Sequence, residues 1–247
     1  MNDRDVFSGR ITAIVRACRT VLVVAGLSAA ASIACAGSAA AIDCRSDPQP
    51  GIDWNNCKKR MLMLGGSSFD GANLSAADFS LTDLSNTSLK NANLNKTTLV
   101  RASLAGATAT GANFERVEGY RSNLSGISAV GANFVSSEMQ RSNFAGADLT
   151  KVDFTKAELG RTNFIKAKLD GTRFAMTNLS RANFHNAEIT GPIDFAYAFL
   201  FLTRIEGVDL SAATGLTQEQ ITLACGDDNT RLPAGLQKPQ QWPCEDE

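Results

Sequence analysis

Residues 131–190 read GANFVSSEMQ RSNFAGADLT KVDFTKAELG RTNFIKAKLD GTRFAMTNLS RANFHNAEIT, and a large apolar residue returns at every fifth position. The series is Phe134, Met139, Phe144, Leu149, Phe154, Leu159, Phe164, Leu169, Phe174, Leu179, Phe184 and Ile189. Working outward, the same register begins upstream at Phe69 and runs through Leu74, Phe79, Leu84, Leu89, Leu94, Leu99 and Leu104. Two residues before each rung stands a small or β-branched residue, such as Ala72, Ala77, Thr82, Thr87 and Ala92, and the position between is usually polar. A helix repeats every 3.6 residues and a flat strand every 2, so neither makes this pattern. A fixed internal period of this kind means a stacked repeat architecture.

The segments GANL at Gly71, GANF at Gly111 and Gly131, and GADL at Gly146 resemble the A(D/N)Lxx unit of pentapeptide-repeat proteins. The resemblance covers roughly two thirds of the chain. It implies an all-β fold: a right-handed, four-sided parallel β-helix with one pentapeptide on each face. In it the Leu or Phe and the small residue two before it point inward. Alternating bulky and small inward positions would fill a narrow square core without voids. The frame shifts by one residue at Gly191-Pro192 and resumes at Phe195, Leu200, Ile205 and Leu210, giving twenty-nine units. Four units per coil make about seven coils, a rod of about 35 Å at the ~4.8 Å spacing of paired strands. The insertion predicts a bulge or corner change, because proline cannot donate to a ladder. Ala109, Gly119 and Ala129 replace the large residue, which predicts a thin stretch of core partly filled by Phe114 and Phe134.

The rest of the chain reads as leader and caps. Arg4, Arg10, Arg16 and Arg19 precede an apolar run from Val21 to Ile33, and Ala39-Ala40-Ala41 offers small residues for cleavage. Residues 1–41 therefore read as a secretory signal peptide. A retained anchor is the alternative, though the run is short for a span. Use of Cys35 as a lipidation site lacks the usual leucine three residues before it. Beyond the leader four cysteines remain: Cys44, Cys57, Cys225 and Cys244. They lie in two pairs flanking the repeats, at opposite ends of the implied rod, and a disulfide needs Cα atoms within about 7 Å. The pairing expected is Cys44–Cys57 and Cys225–Cys244, in an oxidising compartment outside the cytosol. Residues 42–66 are expected as an N-terminal cap, 67–214 as the β-helix and 215–247 as a C-terminal cap. That last cap should open with a short helix N-capped by Thr217 and end in a proline-rich tail. Caps are needed because the open edges of a solenoid invite polymerisation.

Residues twenty apart share a face, one coil apart. Arg101, Arg121, Arg141, Arg161 and Arg181 hold one outward position in successive coils. Asn123, Asn143, Asn163 and Asn183 stack two residues on, and Glu118, Glu138 and Glu158 three residues before their arginines. Like charges about 5 Å apart repel, so one reading is structural: the Glu and Arg ladders neutralise each other. The other makes the Arg row a binding face for an anionic partner, such as a carboxylate, phosphate or glycan.

Whole-chain formal charge is −1, and without residues 1–41 it becomes −3. This is neither the basic excess of a nucleic-acid binder nor a disordered polar bias. The single histidine, His185, occupies an outward position. With no second histidine, no phosphate loop and no calcium-repeat motif, the sequence offers no catalytic, cofactor or metal site. Three functions compete. The first is a non-catalytic exported scaffold that binds an unknown protein or anionic surface, without nucleic acid and without membrane insertion after leader cleavage. The second is the DNA-mimicking topoisomerase protection known in the resembled family, which the leader and the near-neutral charge oppose. The third is a polysaccharide enzyme built on a β-helix, which the lack of long loops opposes.

Overall fold

The structure, a computed structural model, describes residues 43–244. The expected signal peptide, with Cys18 and Cys35, lies outside the described residues, as do Glu245, Asp246 and Glu247 at the end of the C-terminal cap.

The five-residue period becomes a coil because each unit ends in a β-turn. The amide of Ala77 donates to the carbonyl of Leu74 at 3.1 Å across such a turn, and its third residue, Ala76, has φ 54°. Four turns close one circuit, so parallel bridges link residues twenty apart. The bridge columns define four faces. The first runs through Asp53, Asn73, Asn93, Asn113, Asn133, Asp153, Arg173 and Asp194. The second begins at Lys58, the third at Met63 and the fourth at Ser68. Backbone groups pair between coils throughout: the amide of Leu74 donates to Asn93 at 2.8 Å, and that of Asn93 to Ala72 at 2.8 Å. The result is the right-handed quadrilateral parallel β-helix implied by the repeat.

The inward register is as the sequence predicts. Phe69 through Leu210 are buried at their five-residue intervals, with only Ile189, at the insertion, partly exposed. On the first face Phe114, Phe134, Phe154, Phe174 and Phe195 stack with centroids 4.4, 5.0, 5.3 and 5.4 Å apart. On the opposite, third face Phe144, Phe164 and Phe184 form a second ladder at 5.5 and 4.8 Å. The two ladders meet edge to face across the core, as at Phe144 and Phe154 (5.8 Å), which suits the ring quadrupoles. Most threonines at the small inward position satisfy their hydroxyls on the preceding coil, whereas Thr87 donates to Leu84 within its own turn (2.7 Å). Thr97 donates to the carbonyl of Leu74 (2.9 Å), Thr172 to Leu149 (2.9 Å) and Thr177 to Phe154 (2.8 Å).

Three features differ from or sharpen the expectations. Residues 51–66 fall inside the expected cap but already form a coil, with Asp53, Lys58 and Met63 bridged to Asn73, Asp78 and Asp83. Trp54, Lys59 and Leu64 continue the inward register upstream of Phe69. Lys59 is only 6% exposed, with its ammonium 3.3 Å from the Trp54 ring centroid. Burial pulls its pKa down, and Asp43 and Asp47 oppose that pull. The cap proper is the segment at 43–49, tied down by the Cys44–Cys57 disulfide (Cα–Cα 5.5 Å) and by Trp54 Nε1 donating to Ser46 Oγ. Second, the space left by Gly119 is filled from the next coil: a Cβ on Gly119 would lie 2.2 Å from Met139 Sδ. Phe114 and Phe134, expected to help, do stack tightly beside it. Third, the insertion at Gly191-Pro192 lengthens one corner, so Arg173 bridges Asp194 rather than residue 193, and the Asp170 carboxylate collects the amides of Thr190 and Gly191.

Strand β1 (Ile193–Asp194) pairs in parallel with β2 (Ala213–Thr214). Helix α1 (Gln218–Leu223) follows, with Thr217 as N-cap in a capping box with Gln220. The Gln220 side-chain amide also donates to the carbonyl of Ala198 (2.8 Å) and to that of Phe195 (3.0 Å), which already accepts the turn bond from the Ala198 amide. Ile221 is buried over the last coil. Cys225–Cys244 (Cα–Cα 5.4 Å) brings the tail back, and Trp242 lies flat over Gly226 while its Nε1 donates to Ala224.

Candidate functional site

The five arginines occupy the third residue of the turn between the second and third faces. Their φ values are 56°, 57°, 59°, 59° and 57° for Arg101, Arg121, Arg141, Arg161 and Arg181. Each turn is closed by a hydrogen bond, from Ser122 to Gly119 (3.0 Å) and from Ser142 to Met139 (3.1 Å) for example. Each arginine amide also donates to the next coil: Arg121 to Gln140 at 3.1 Å, Arg141 to Gly160 at 2.9 Å, Arg161 to Ser180 at 2.8 Å. The backbone is therefore fixed, and the side chains form one exposed edge with a guanidinium at each coil. Left-handed backbone costs a side-chain-bearing residue about 1–2 kcal/mol relative to glycine. On the next corner round, Gly106, Gly126 and Gly146 fill the equivalent place. Turn geometry thus gives no reason for arginine here. The edge is bounded by Leu81 before Arg101 and Leu202 after Arg181.

Among the described residues, none of Arg101, Arg121, Arg141 and Arg161 makes an ion pair within 4.0 Å. The neutralising Glu–Arg ladder therefore does not form within the chain. Glu118, Glu138 and Glu158 sit at the middle of the second face, exposed, and are bridged directly to one another. Glu158 accepts from Asn178 Nδ2 at 2.8 Å. Arg121 lies over the ring of Tyr120, 5.2 Å from its centroid.

The Asn ladder on the third face is engaged internally. Asn143 Nδ2 donates to Asn123 Oδ1 (3.3 Å) and Asn163 to Asn143 (3.1 Å), while each Oδ1 also accepts the amide two residues on. These amides hold the coils together and leave little for a ligand. At the C-terminal end the edge opens into a cavity of about 760 Å³ lined by Arg161, Arg181, Arg204 and Glu206 with Gln241 and Cys244. Arg204 and Glu206 pair at 3.0 Å. Neither was singled out by sequence, although Arg204 continues the Asn column across the insertion. His185 is exposed, its amide bound to Asn183 Oδ1 (2.9 Å). Among the described residues no cluster of His, Cys, Asp or Glu could hold a metal ion, and no helix is long and apolar enough to cross a membrane.

Residues 137–214 match the family described as pentapeptide repeat region, and 67–104, 82–118 and 99–134 match pentapeptide repeats. No curated protein sequence matches the chain. Among solved structures, one similar chain is HetL, a pentapeptide repeat protein involved in heterocyst differentiation regulation in Nostoc sp. strain PCC 7120. It shares 21% identity over 75% of this chain and 91% of its own, with a TM-score of 0.44. QnrB1, a plasmid-mediated fluoroquinolone resistance protein, shares 19% over 72% and 88%, with a TM-score of 0.44. A thylakoid-lumen pentapeptide repeat protein of Arabidopsis thaliana shares 19% over 56% and 79%, with a TM-score of 0.36. Together the family matches span more than half of the sequence, in the register that the coils display, and the chain belongs to the pentapeptide-repeat family.

Proposed function

We propose that the protein is a non-catalytic interaction scaffold, exported from the cytosol, whose arginine edge docks an anionic partner. One observation carries this: four guanidinium groups, one per coil, stand exposed without an ion pair among the described residues. Rows of like charge at about 4.8 Å spacing repel, and an anionic surface lying along the edge relieves that repulsion. A rigid backbone loses little conformational freedom on binding, which favours such docking. The positive edge runs against a DNA mimic, which needs acidic faces. Export is supported by the two disulfides, which persist in oxidising compartments, and by the leader-like composition of residues 1–41. N-terminal sequencing of the protein from fractionated cells tests it, and a cytosolic chain beginning at Met1 would sink the export reading.

Retention on immobilised heparin tests the edge. Arg121→Glu together with Arg141→Glu should move elution to markedly lower salt while the circular dichroism melt stays cooperative. Wild-type retention should itself fall as salt shortens the ~8–10 Å screening length. Unchanged retention of the double variant would remove the edge as a binding site.

A further inference from the structure

The second face carries its charges in separated columns. Its middle column is Glu118, Glu138 and Glu158. Its far corner is the arginine edge. Between them, at the position following each inward residue, runs Val100, Tyr120, Gln140, Gly160 and Ser180, a column with no charge at all. Glu118 bridges Glu138, and Glu138 bridges Glu158. Like charges directly opposite on paired strands are destabilising, and among the described residues no cation lies within 4.0 Å of any of the three. Among the described residues, the three glutamates and Arg121, Arg141 and Arg161 therefore stand in two parallel rows of opposite sign, in register coil by coil and without an ion pair within 4.0 Å, while the near corner carries Arg116, paired with Glu115, and Lys156.

We infer that the anionic partner of the arginine edge is a second copy of this chain, docked face to face along the second face with the two solenoids parallel. The inference rests on the reading of the arginine edge as a docking site and names its partner. The symmetry follows from the columns. A two-fold axis parallel to the solenoid axis reverses the order of columns across the face and keeps the coil level. Placed midway between the glutamate column and the arginine corner, beside the uncharged column, it sets Glu118 against Arg121 of the second copy, Glu138 against Arg141 and Glu158 against Arg161, and each pair occurs twice. A two-fold perpendicular to the solenoid in the plane of the face would instead set Glu on Glu. Beside the axis the outward column is neutral, with Gln140 at its middle, the 37%-exposed Tyr120 ring one coil before it and Gly160 one coil after, leaving room for close approach. An uncharged strip that includes an aromatic ring, flanked by charges, suits an interface, and self-complementarity is what an isologous contact requires. Thr98 and Asn178 face Arg101 and Arg181 at the two ends of the row, so no acidic residue of that column is left over.

Sedimentation equilibrium on the purified chain at low and high salt tests this. A dimer is expected that weakens as salt rises, since exposed pairs of about 0.2–1 kcal/mol each are screened. Reversing either row alone, as Glu118→Arg/Glu138→Arg/Glu158→Arg or Arg121→Glu/Arg141→Glu/Arg161→Glu, turns attraction into repulsion and should weaken self-association at least about tenfold. Glu138→Arg and Arg141→Glu singly do the same to a smaller degree and guard against misfolding of the triple variants, with melting curves as the check. Mixing the two triple variants sets an all-basic face against an all-acidic one, so both rows attract, and a heterodimer should form where neither variant associates with itself. Combining both reversals in one chain restores complementarity and should restore the homodimer. A monomer at all concentrations, or a dimer indifferent to both reversals, overturns the inference. If the wild type is monomeric yet loses heparin retention on Arg121→Glu/Arg141→Glu, the docking edge stands and only its partner is wrong.

Discussion

Phe154 lies between Phe134 and Phe174 in its column and meets Phe144 and Phe164 edge-on from the opposite face. Truncating it removes contacts on every side within a core that cannot collapse, because the backbone is pinned by hydrogen bonds to the coils above and below. Phe154→Ala should cost about 3–5 kcal/mol in chemical denaturation. The next residue, Thr155, stands at an outward position, and its hydroxyl has no hydrogen-bond partner among the described residues. Thr155→Ala should stay within about 0.5 kcal/mol. Comparable losses from the two would mean that the inward register is misplaced. This register was legible from the five-residue period alone. The filling of Gly119 was not: Met139 stands twenty residues away in sequence, and only the stacking of coils brings its sulfur into that space.

Among the elements, the caps carry what the repeat cannot supply. At Ala198 the last coil presents a carbonyl with no following coil to donate to it, and α1 answers through one side chain, Gln220, whose amide reaches that carbonyl and the turn carbonyl of Phe195. Helix α1 has only six residues, too short to be stable alone, so its place depends on Ile221 and on the tail anchored by Cys225–Cys244. Replacing both cysteines by serine should cost about 2–4 kcal/mol, with early loss of protection in amide exchange confined to residues beyond Thr203. Uniform loss along the chain would show that the cap and the coils unfold as one unit. The helix and its Thr217 cap were readable as local signals. Trp242 seated over Gly226 was not, since nothing in the spacing of the tail says which glycine receives the ring.

For the molecule as a whole, acid should be the disruptive condition. Hydrogen bonds from the Ser85 hydroxyl and amide hold the Asp83 carboxyl below its usual range. At Asp209 the Ser211 hydroxyl and amide do so first, with Arg231 adding to them. A carboxylate depressed in the folded state binds fewer protons there than in the unfolded chain. Its stabilisation is fully present above the ordinary value of about 3.9 and is lost as pH falls through the lower folded value. The melting temperature should therefore be level from neutral pH down to about pH 5 and drop below about pH 4. A melting temperature unchanged at pH 2 would show that these turn carboxylates do not contribute.

By itself, the sequence determined the inward and outward positions, the four faces, the residues that stack in columns and the two cystine pairs. A solenoid turns a fixed period directly into neighbourhood, so residues twenty apart must be vertical neighbours. Tertiary structure decided what a period cannot carry. The first coil escaped the pattern because Cys57 and Lys59 hold inward positions there. A lysine is tolerated at that place only because the core ends beside it, with the Trp54 face to receive the ammonium. The glutamate and arginine columns were visible as columns, but whether they pair depends on the reach and direction of side chains from a flat face and from a left-handed corner. Among the described residues Arg101, Arg121, Arg141 and Arg161 and the three glutamates make no ion pair within 4.0 Å, which leaves the second face a surface for another molecule rather than a closed ladder.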